Sequence, residues 1–226
     1  MAGLIASLVR RVGANTRPAE TAEPETAPGT ETRALAEVEF AGYSEDCRVF
    51  GFFQHAAGRM TDALNDGEAY HLTDVMIVSL ADGHAIQAKE LTVQRAELLA
   101  VKAAGRRGEP GLRGRSRPYP VTLQSGPFTI HGYLHGLPGA DPLLQLRRRP
   151  AMVALTESWI EYQSAGASHR ARVGTIIVNR EVLDWIRLSK DEEVGLPDLP
   201  AEVAPDPRAK DMTGYIRIGD SWQREG

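Results

Sequence analysis

Cys47 is the only cysteine in this 226-residue chain, which excludes an internal disulfide framework and any multi-cysteine metal site. No segment approaches the ~20 consecutive apolar residues that a membrane-spanning helix requires. The longest apolar run, near Met76 to Val78, has the length of a strand. No G-x-S-x-G elbow, phosphate-binding loop or dinucleotide fingerprint is present, so no nucleophile is flanked by recognisable partners. The glycines from Gly105 to Gly114 precede no helix that could present an open N-terminus to a phosphate. A secretory signal places its charge before its apolar stretch, whereas Arg10 and Arg11 follow Leu4, Ile5, Leu8 and Val9. A cytoplasmic protein is the expectation, and catalytic residues, cofactors and metals are all expected to be none.

What is present is internal repetition. Cys47-Arg48-Val49-Phe50-Gly51-Phe52-Phe53 returns as Phe128-Thr129-Ile130-His131-Gly132-Tyr133-Leu134. Leu72-Thr73-Asp74 returns as Leu155-Thr156-Glu157, and Val93-Gln94-Arg95 as Val178-Asn179-Arg180, followed by Leu98 and Leu183. The offset drifts from 81 (132−51) to 83 (155−72) to 85 (178−93), as expected of one module copied and then varied in its loops. Two modules of about 70 residues bury too little surface to be robust alone, so they are expected to support each other.

The boundaries follow from composition. Leu4, Ile5, Leu8, Val9 and Val12 form one helical stripe over residues 1–12, too short to be stable without something to dock on. Residues 13–34, rich in Pro, Thr, Ala and Glu, read as a disordered tether. The copies span 35–105 and 119–188, separated by an arginine-rich linker at 106–118. Residues 189–226 read as an acidic, proline-rich, largely uncovered tail in which Tyr215 to Ile218 alternate and are open to two readings, a strand added to an exposed edge or a floppy terminus. The net charge of −4 is uneven: Lys+Arg against Asp+Glu is 5 to 11 over residues 35–105, 5 to 1 over 106–118 and 7 to 5 over 119–188.

Each copy reads as five strands with a short helix between the second and third. In the second strands Cys47, Val49, Gly51 and Phe53, and Phe128, Ile130, Gly132 and Leu134, share the core face. A glycine in the middle of a core-facing row, twice, suits a sharply bent strand. Helical turns at residues 59–66 and 141–148 would plug a barrel end with Leu64 and Leu146. This order, a bent strand with Gly, a third strand carrying Leu-x-acid and a closing pair around a polar dipeptide, resembles the Sm-like (SH3-like) small barrel. It is also similar to a bacterial small-barrel domain family of unknown function. The resemblance implies a mainly β fold of two tandem five-stranded barrels over residues 36–103 and 119–188. Family members of the Sm-like type bind RNA through an Arg-Gly pair between the last two strands. Here Arg95 and Arg180 stand one place late and the glycine is missing.

Candidate functional residues fall into four groups. Leu4, Ile5, Leu8, Val9 and Val12 are candidates for docking on a protein partner or, with Arg10 and Arg11, on an anionic membrane surface. Phe50, Phe52, Tyr133 and Trp159 point outward and imply a covered outer face or an interface; the second copy, the N-terminal helix and a partner are the candidate covers. Arg95, Arg106, Arg107, Arg113, Arg115, Arg117 and Arg180 are the candidate nucleic-acid contacts, although no aromatic for base stacking lies between Tyr70 and Tyr119. His131 and His135 are ~13 Å apart along a strand, too far for joint metal ligation. Asp74 and Glu157 are expected to cap a turn or to pair with Arg95 and Arg180 of their own copies. The functional expectation is a non-enzymatic scaffold or adaptor that binds a protein partner or itself, with RNA or DNA binding and peripheral membrane attachment as alternatives.

Overall fold

The computed structural model describes residues 35–56, 58–105, 116–195, 198–208, 215–218 and 221–224. The expected helix at 1–12, the tether at 13–34 and Arg106, Arg107, Arg113 and Arg115 lie outside the described residues. The protein is mainly β. Its first half runs β1 (Leu35–Tyr43), β2 (Cys47–Ala56), α1 (Met60–Asp66), β3 (Ala69–Ser79), β4 (Ala85–Gln94), a 3-10 turn (Arg95–Glu97) and β5 (Ala100–Lys102). The second half repeats that order: β6 (Arg117–Ser125), β7 (Phe128–Gly136), α2 (Pro142–Leu146), β8 (Met152–Ser164), β9 (Ala167–Asn179), a 3-10 turn (Arg180–Val182) and β10 (Trp185–Leu188). One turn of helix, α3 (Asp191–Val194), and a hairpin, β11 (Tyr215–Ile218) and β12 (Ser221–Arg224), complete the chain.

Alternation decides the strands. β7 is buried at every even-numbered residue from Phe128 to Gly136, with the residues between half-buried, the period-2 pattern of a strand with one face on a core. β4 and β9 are long because they pair with nearly the whole of β3 and β8. The short helices are held by local chemistry. In α2 the Asp141 side chain accepts from the Leu143 and Leu144 amides at 2.8 and 3.2 Å, and Pro142 opens the first turn. α1 has no side-chain cap; it is anchored instead by buried Met60 and Leu64, one turn apart, and by the Tyr70 hydroxyl, which donates to Leu64 O at 2.5 Å.

The repeated glycines mark matching irregularities. The β2–β3 register shifts between Phe50 and Phe52, and the β7–β8 register between His131 and Tyr133. A Cβ on Gly51 would sit 3.1 Å from Thr73 O, and one on Gly132 would collide with Ser158 Oγ. Across from these bulges Asp74 and Glu157 adopt left-handed backbone conformations, φ 48° and 51°. A side chain in that region costs on the order of 1 kcal/mol or more. The repeated acids are therefore bulge residues and cap no turn.

The twelve strands among the described residues belong to one antiparallel sheet in the order β10-β6-β7-β8-β9-β5-β1-β2-β3-β4-β12-β11. Within each half the fifth strand pairs with the first, β5 with β1 and β10 with β6. The fourth strand finds no fifth strand in its own half. Instead β9 of the second half pairs with β5 of the first, so the sheet is continuous and open instead of closing twice. The cores interpenetrate at that seam. Met152 and Ile177 of the second half pack among Phe40, Val101 and their neighbours in the first core, while Tyr43 of the first half packs with Phe128 and Leu123 in the second. Tyr43 and Phe128 meet edge to face at 5.3 Å.

The tail departs from the uncovered segment that its composition suggests. Val194 is fully buried and Glu202 is 9% exposed. Arg172 on β9 forms a parallel bridge with Ala201. Of the two readings of Tyr215 to Ile218, the strand is the one formed: β11 reaches the sheet through β12, which meets β4 at Trp222 opposite Ala85.

Candidate docking surfaces

The seam shows how this sheet recognises an edge. Ala100, Val101 and Lys102 stand opposite Val178, Ile177 and Ile176. Asn179 locks the register: its Nδ2 donates to Arg95 O and Leu98 O, both at 3.1 Å, and its Oδ1 accepts from its own Glu181 amide. Asn65 at the end of α1 does the same from the other side, donating to Met152 O at 2.8 Å and accepting from Met152 N at 2.9 Å. Leaving such buried carbonyls unpaired costs ~1–3 kcal/mol each, so the two asparagines specify the junction as well as strengthen it.

Two edges equivalent to this seam stay open. Sheet register places Leu91, Thr92 and Val93 of β4 where Ile176, Ile177 and Val178 stand in β9, and Trp185, Ile186 and Arg187 of β10 where Ala100, Val101 and Lys102 stand in β5. β10 ends the sheet, and among the described residues the outer side of β4 is met only at Ala85. Trp185 and Leu188 on β10 are each 46% exposed. No single feature of the linear sequence marks these edges, because whether a strand has a neighbour is a property of the assembled sheet.

Behind the seam a carboxylate from the tail is buried between the halves. Glu202 accepts from the Tyr43 hydroxyl, lies 3.4 Å from Arg48 Nη1 and 3.9 Å from Lys102 Nζ, and its carbonyl accepts from Lys102 Nζ at 3.0 Å. Burial, and then the Glu202 charge beside it, hold the Tyr43 hydroxyl well above its ordinary pKa. Ala204 then packs over Ala41, Phe50, Met76, Val78 and Ala85 on the outer face. The outer face is thus covered, but by the chain's own C-terminal segment, which was not among the expected covers. This corrects the expectation for Phe50 and Trp159 as interface residues. Phe50 is 2% exposed under that segment, and Trp159 is 7% exposed, donating to Val194 O at 3.3 Å. Phe52 lies beneath the Arg208 guanidinium, and Tyr133 is half-buried.

The arginines between the closing strands are held by backbone. Arg95 Nη1 donates to Gly67 O at 3.1 Å and lies near Glu68; Arg180 Nε donates to Arg149 O at 2.7 Å and lies near Glu181. Neither reaches the repeated acid of its copy, which corrects that pairing: Asp74 instead binds Arg208. Their planar donors close the ends of α1 and of the turn after α2. Arg117, expected in the linker, opens β6 and lies over the Tyr119 ring at 5.6 Å.

The histidines are dispersed into separate contacts. His131 stacks on Trp159 at 3.8 Å, with Nδ1 3.1 Å from Thr122 Oγ1. Burial pulls its pKa down, against the pull of Glu161. His135 Nε2 lies 2.8 Å from Thr156 Oγ1. Among the described residues no group of three or more His, Cys, Asp or Glu side chains could hold a metal. Cys47 is fully buried, and burial pushes its thiol far above the range in which thiolates form.

A cavity of about 510 Å³ opens beside α1, lined by Phe53, His55, Arg59, Asp62, Asp66 and Tyr70 among others. The second half fills the matching space differently. Gly136 stands where His55 does, and a Cβ there would meet Gln145 Oε1 at 2.9 Å and the Tyr119 ring at 3.3 Å. Among the described residues no helix is long and apolar enough to cross a membrane. Comparisons with protein-family models, with curated proteins and with solved structures found no match.

Proposed function

We propose that this chain is a non-enzymatic cytoplasmic scaffold made of two copies of one module, each curled like an Sm-like small barrel, that associates with further copies through its sheet edges. The first dozen residues, at the end of the tether, serve as its docking helix for a protein partner. The observation that carries the assembly reading is the seam. One chain already joins a fourth strand to a fifth strand of a neighbouring module, and among the described residues it leaves β10 without an outer neighbour and β4 paired on its outer side only at Ala85. Exposed edges of this kind are the usual template for strand addition between molecules. Pairing β10 of one copy with β4 of the next in the seam's register sets Trp185 opposite Val93, Ile186 opposite Thr92 and Arg187 opposite Leu91. Because the contact is head to tail, it propagates until it closes a ring or forms a filament.

The end-to-end contact is weaker than the internal one for a stated reason. Ala69 and Thr92 replace Met152 and Ile177, and Gln94 replaces Asn179, so less apolar surface is buried and the register lock is altered. Light scattering on the eluting protein tests this across concentration. The weight-average mass is expected to rise above the 24.6 kDa monomer, to return to it in Trp185→Asp, and to be unaffected by deletion of residues 1–34. A mass that stays at the monomer up to about 1 mM, where any contact of more than ~4 kcal/mol is visible, rules the assembly out.

A further inference from the structure

The first half contains a complete guanidinium site, and the second half contains its counterpart without the guanidinium. In the first half, Arg208 from the C-terminal segment lies over the Phe52 ring, 3.6 Å from its centroid. Its Nε donates to Asp74 Oδ2 at 2.6 Å, and its two terminal nitrogens donate to the Glu37 carboxylate at 2.9 and 3.0 Å. An aromatic face below and two carboxylates at the edges use each recognition property of a guanidinium: its flat charged face, its Nε–H and its two-pronged end.

In the second half Tyr133 pairs with Thr156 as Phe52 pairs with Thr73. Glu157 follows Thr156 in the same left-handed conformation as Asp74 after Thr73. Glu37 has no counterpart, because Pro118 occupies its register position. A second carboxylate arrives instead from α3, which packs against β7: Asp191 and Glu157 both add to burial in raising the Tyr133 pKa. Glu157 is exposed, and among the described residues no lysine or arginine is ion-paired with it or with Asp191. Arg187, the nearby cation of β10, is taken by Glu193 at 2.8 Å.

We propose that Tyr133, Glu157 and Asp191 form a receptor for the side chain of an arginine in an extended basic peptide segment of a partner protein. Three observations point to arginine as the occupant. The equivalent site is filled by an arginine. That arginine is delivered by a non-helical chain segment that ends in a turn at Pro207 and Arg208. The carboxylates flank an aromatic face, where a planar cation fits better than an ammonium. The left-handed backbone at Glu157, kept in both halves, places an acid next to the residue that pairs with Tyr133, as Asp74 is placed next to the partner of Phe52. The inference is independent of edge pairing, since β10 and β4 contribute nothing to it.

The test uses the full chain with ring-labelled tyrosine, observed by NMR, and the probe acetyl-Pro-Arg-Gly amide. Saturable shifts of the Tyr133 ring are expected with a Kd on the order of millimolar, as suits an exposed cation–π and ion-pair site. Glu157→Gln and Asp191→Asn should each weaken binding at least threefold, Asp74→Asn should leave it unchanged, and the lysine analogue of the probe should bind at least threefold more weakly. These are surface substitutions, so an unchanged tyrosine spectrum elsewhere confirms folding. No saturable shift at Tyr133, an equal response in Glu157→Gln, or equal binding of the lysine analogue overturns the proposal. A Tyr133 signal that moves in Arg113→Gln or Arg115→Gln without any probe also overturns it, because the chain's own connector is then the occupant.

Discussion

In the first half the outward-facing Phe50 and Phe52 are covered by a non-helical segment, Glu202 to Arg208, whereas in the second half Trp159, with His131 stacked on it, is covered by one helical turn through Val194. The strands beneath are equivalent, down to the register shift after Phe50 and after His131. The difference teaches that a narrow sheet with apolar groups on both faces requires a second layer but is indifferent to its secondary structure. It also separates the halves functionally. The first half has its aromatic–acid site filled from within by Arg208, whereas in the second half no lysine or arginine among the described residues pairs with the matching acid, Glu157.

The sharpest way to break the comparison is at the seam. Ile177 is fully buried in the first half's core, while its counterpart Thr92 is half-buried on an open edge. Ile177→Asp is expected to destabilise the protein by about 4 kcal/mol or more, and Thr92→Asp by no more than ~0.5 kcal/mol. Denaturant melts should show one transition that moves as a whole in Ile177→Asp. A second transition left in place would mean that the halves fold independently.

The tail is the next lever. Glu202→Ala leaves Arg48 without its carboxylate, with Arg48 14% exposed at the side chain and Lys102 28%. A fully buried broken pair costs 3–5 kcal/mol, and partial solvation of these cations brings the expected loss to about 2 kcal/mol. Limited proteolysis should then cut between residues 198 and 208 faster than in the parent chain, and an unchanged cutting rate would show that the segment is held by its backbone contacts alone.

Backbone strain sharpens the comparison further. Glu157→Gly should stabilise the protein by about 0.5–1 kcal/mol by relieving a left-handed side chain, seen as a rise in melting temperature. Asp74→Gly relieves the same strain but also removes the Arg208 contact, so its gain should be smaller. Equal gains would mean that the Arg208 pair contributes nothing to folding.

The smallest effect is a pH slope confined to the second half. His131 has a folded-state pKa below the ordinary 6.5 because it is buried against Trp159. The unfolded chain therefore takes up a proton that the folded ring does not, and stability present above pH 6.5 is lost as pH falls below it. His131→Phe keeps the stacked ring and should flatten the change in melting temperature between pH 7.5 and pH 5.5, as measured by calorimetry.

Much of the strand layout was legible because local rules decide it. The alternation of Phe128 to Leu134, the proline and aspartate that open α2, and the glycines at the two bulges are all short-range signals. The pairing of Asp74 was not legible: the acid binds Arg208, 134 residues away, a contact with no signature in spacing. The partners of Arg95 and Arg180 were not legible for a related reason. Their position between the closing strands suggests an exposed ligand contact, but the carbonyls left over at the ends of α1 and of the turn after α2 lie within reach and take their donors.

By itself the sequence determined the repeated order of elements, the core-facing rows and the bulges, because period-2 burial and the steric demands at glycine act over a few residues. Only the tertiary structure decided that β9 joins β5, that Met152 and Ile177 complete a core belonging to the other half, and that the tail supplies Glu202 and Arg208. Those outcomes depend on which of several chemically similar strand edges and charges are brought together in space, and nearest-neighbour chemistry does not distinguish among them.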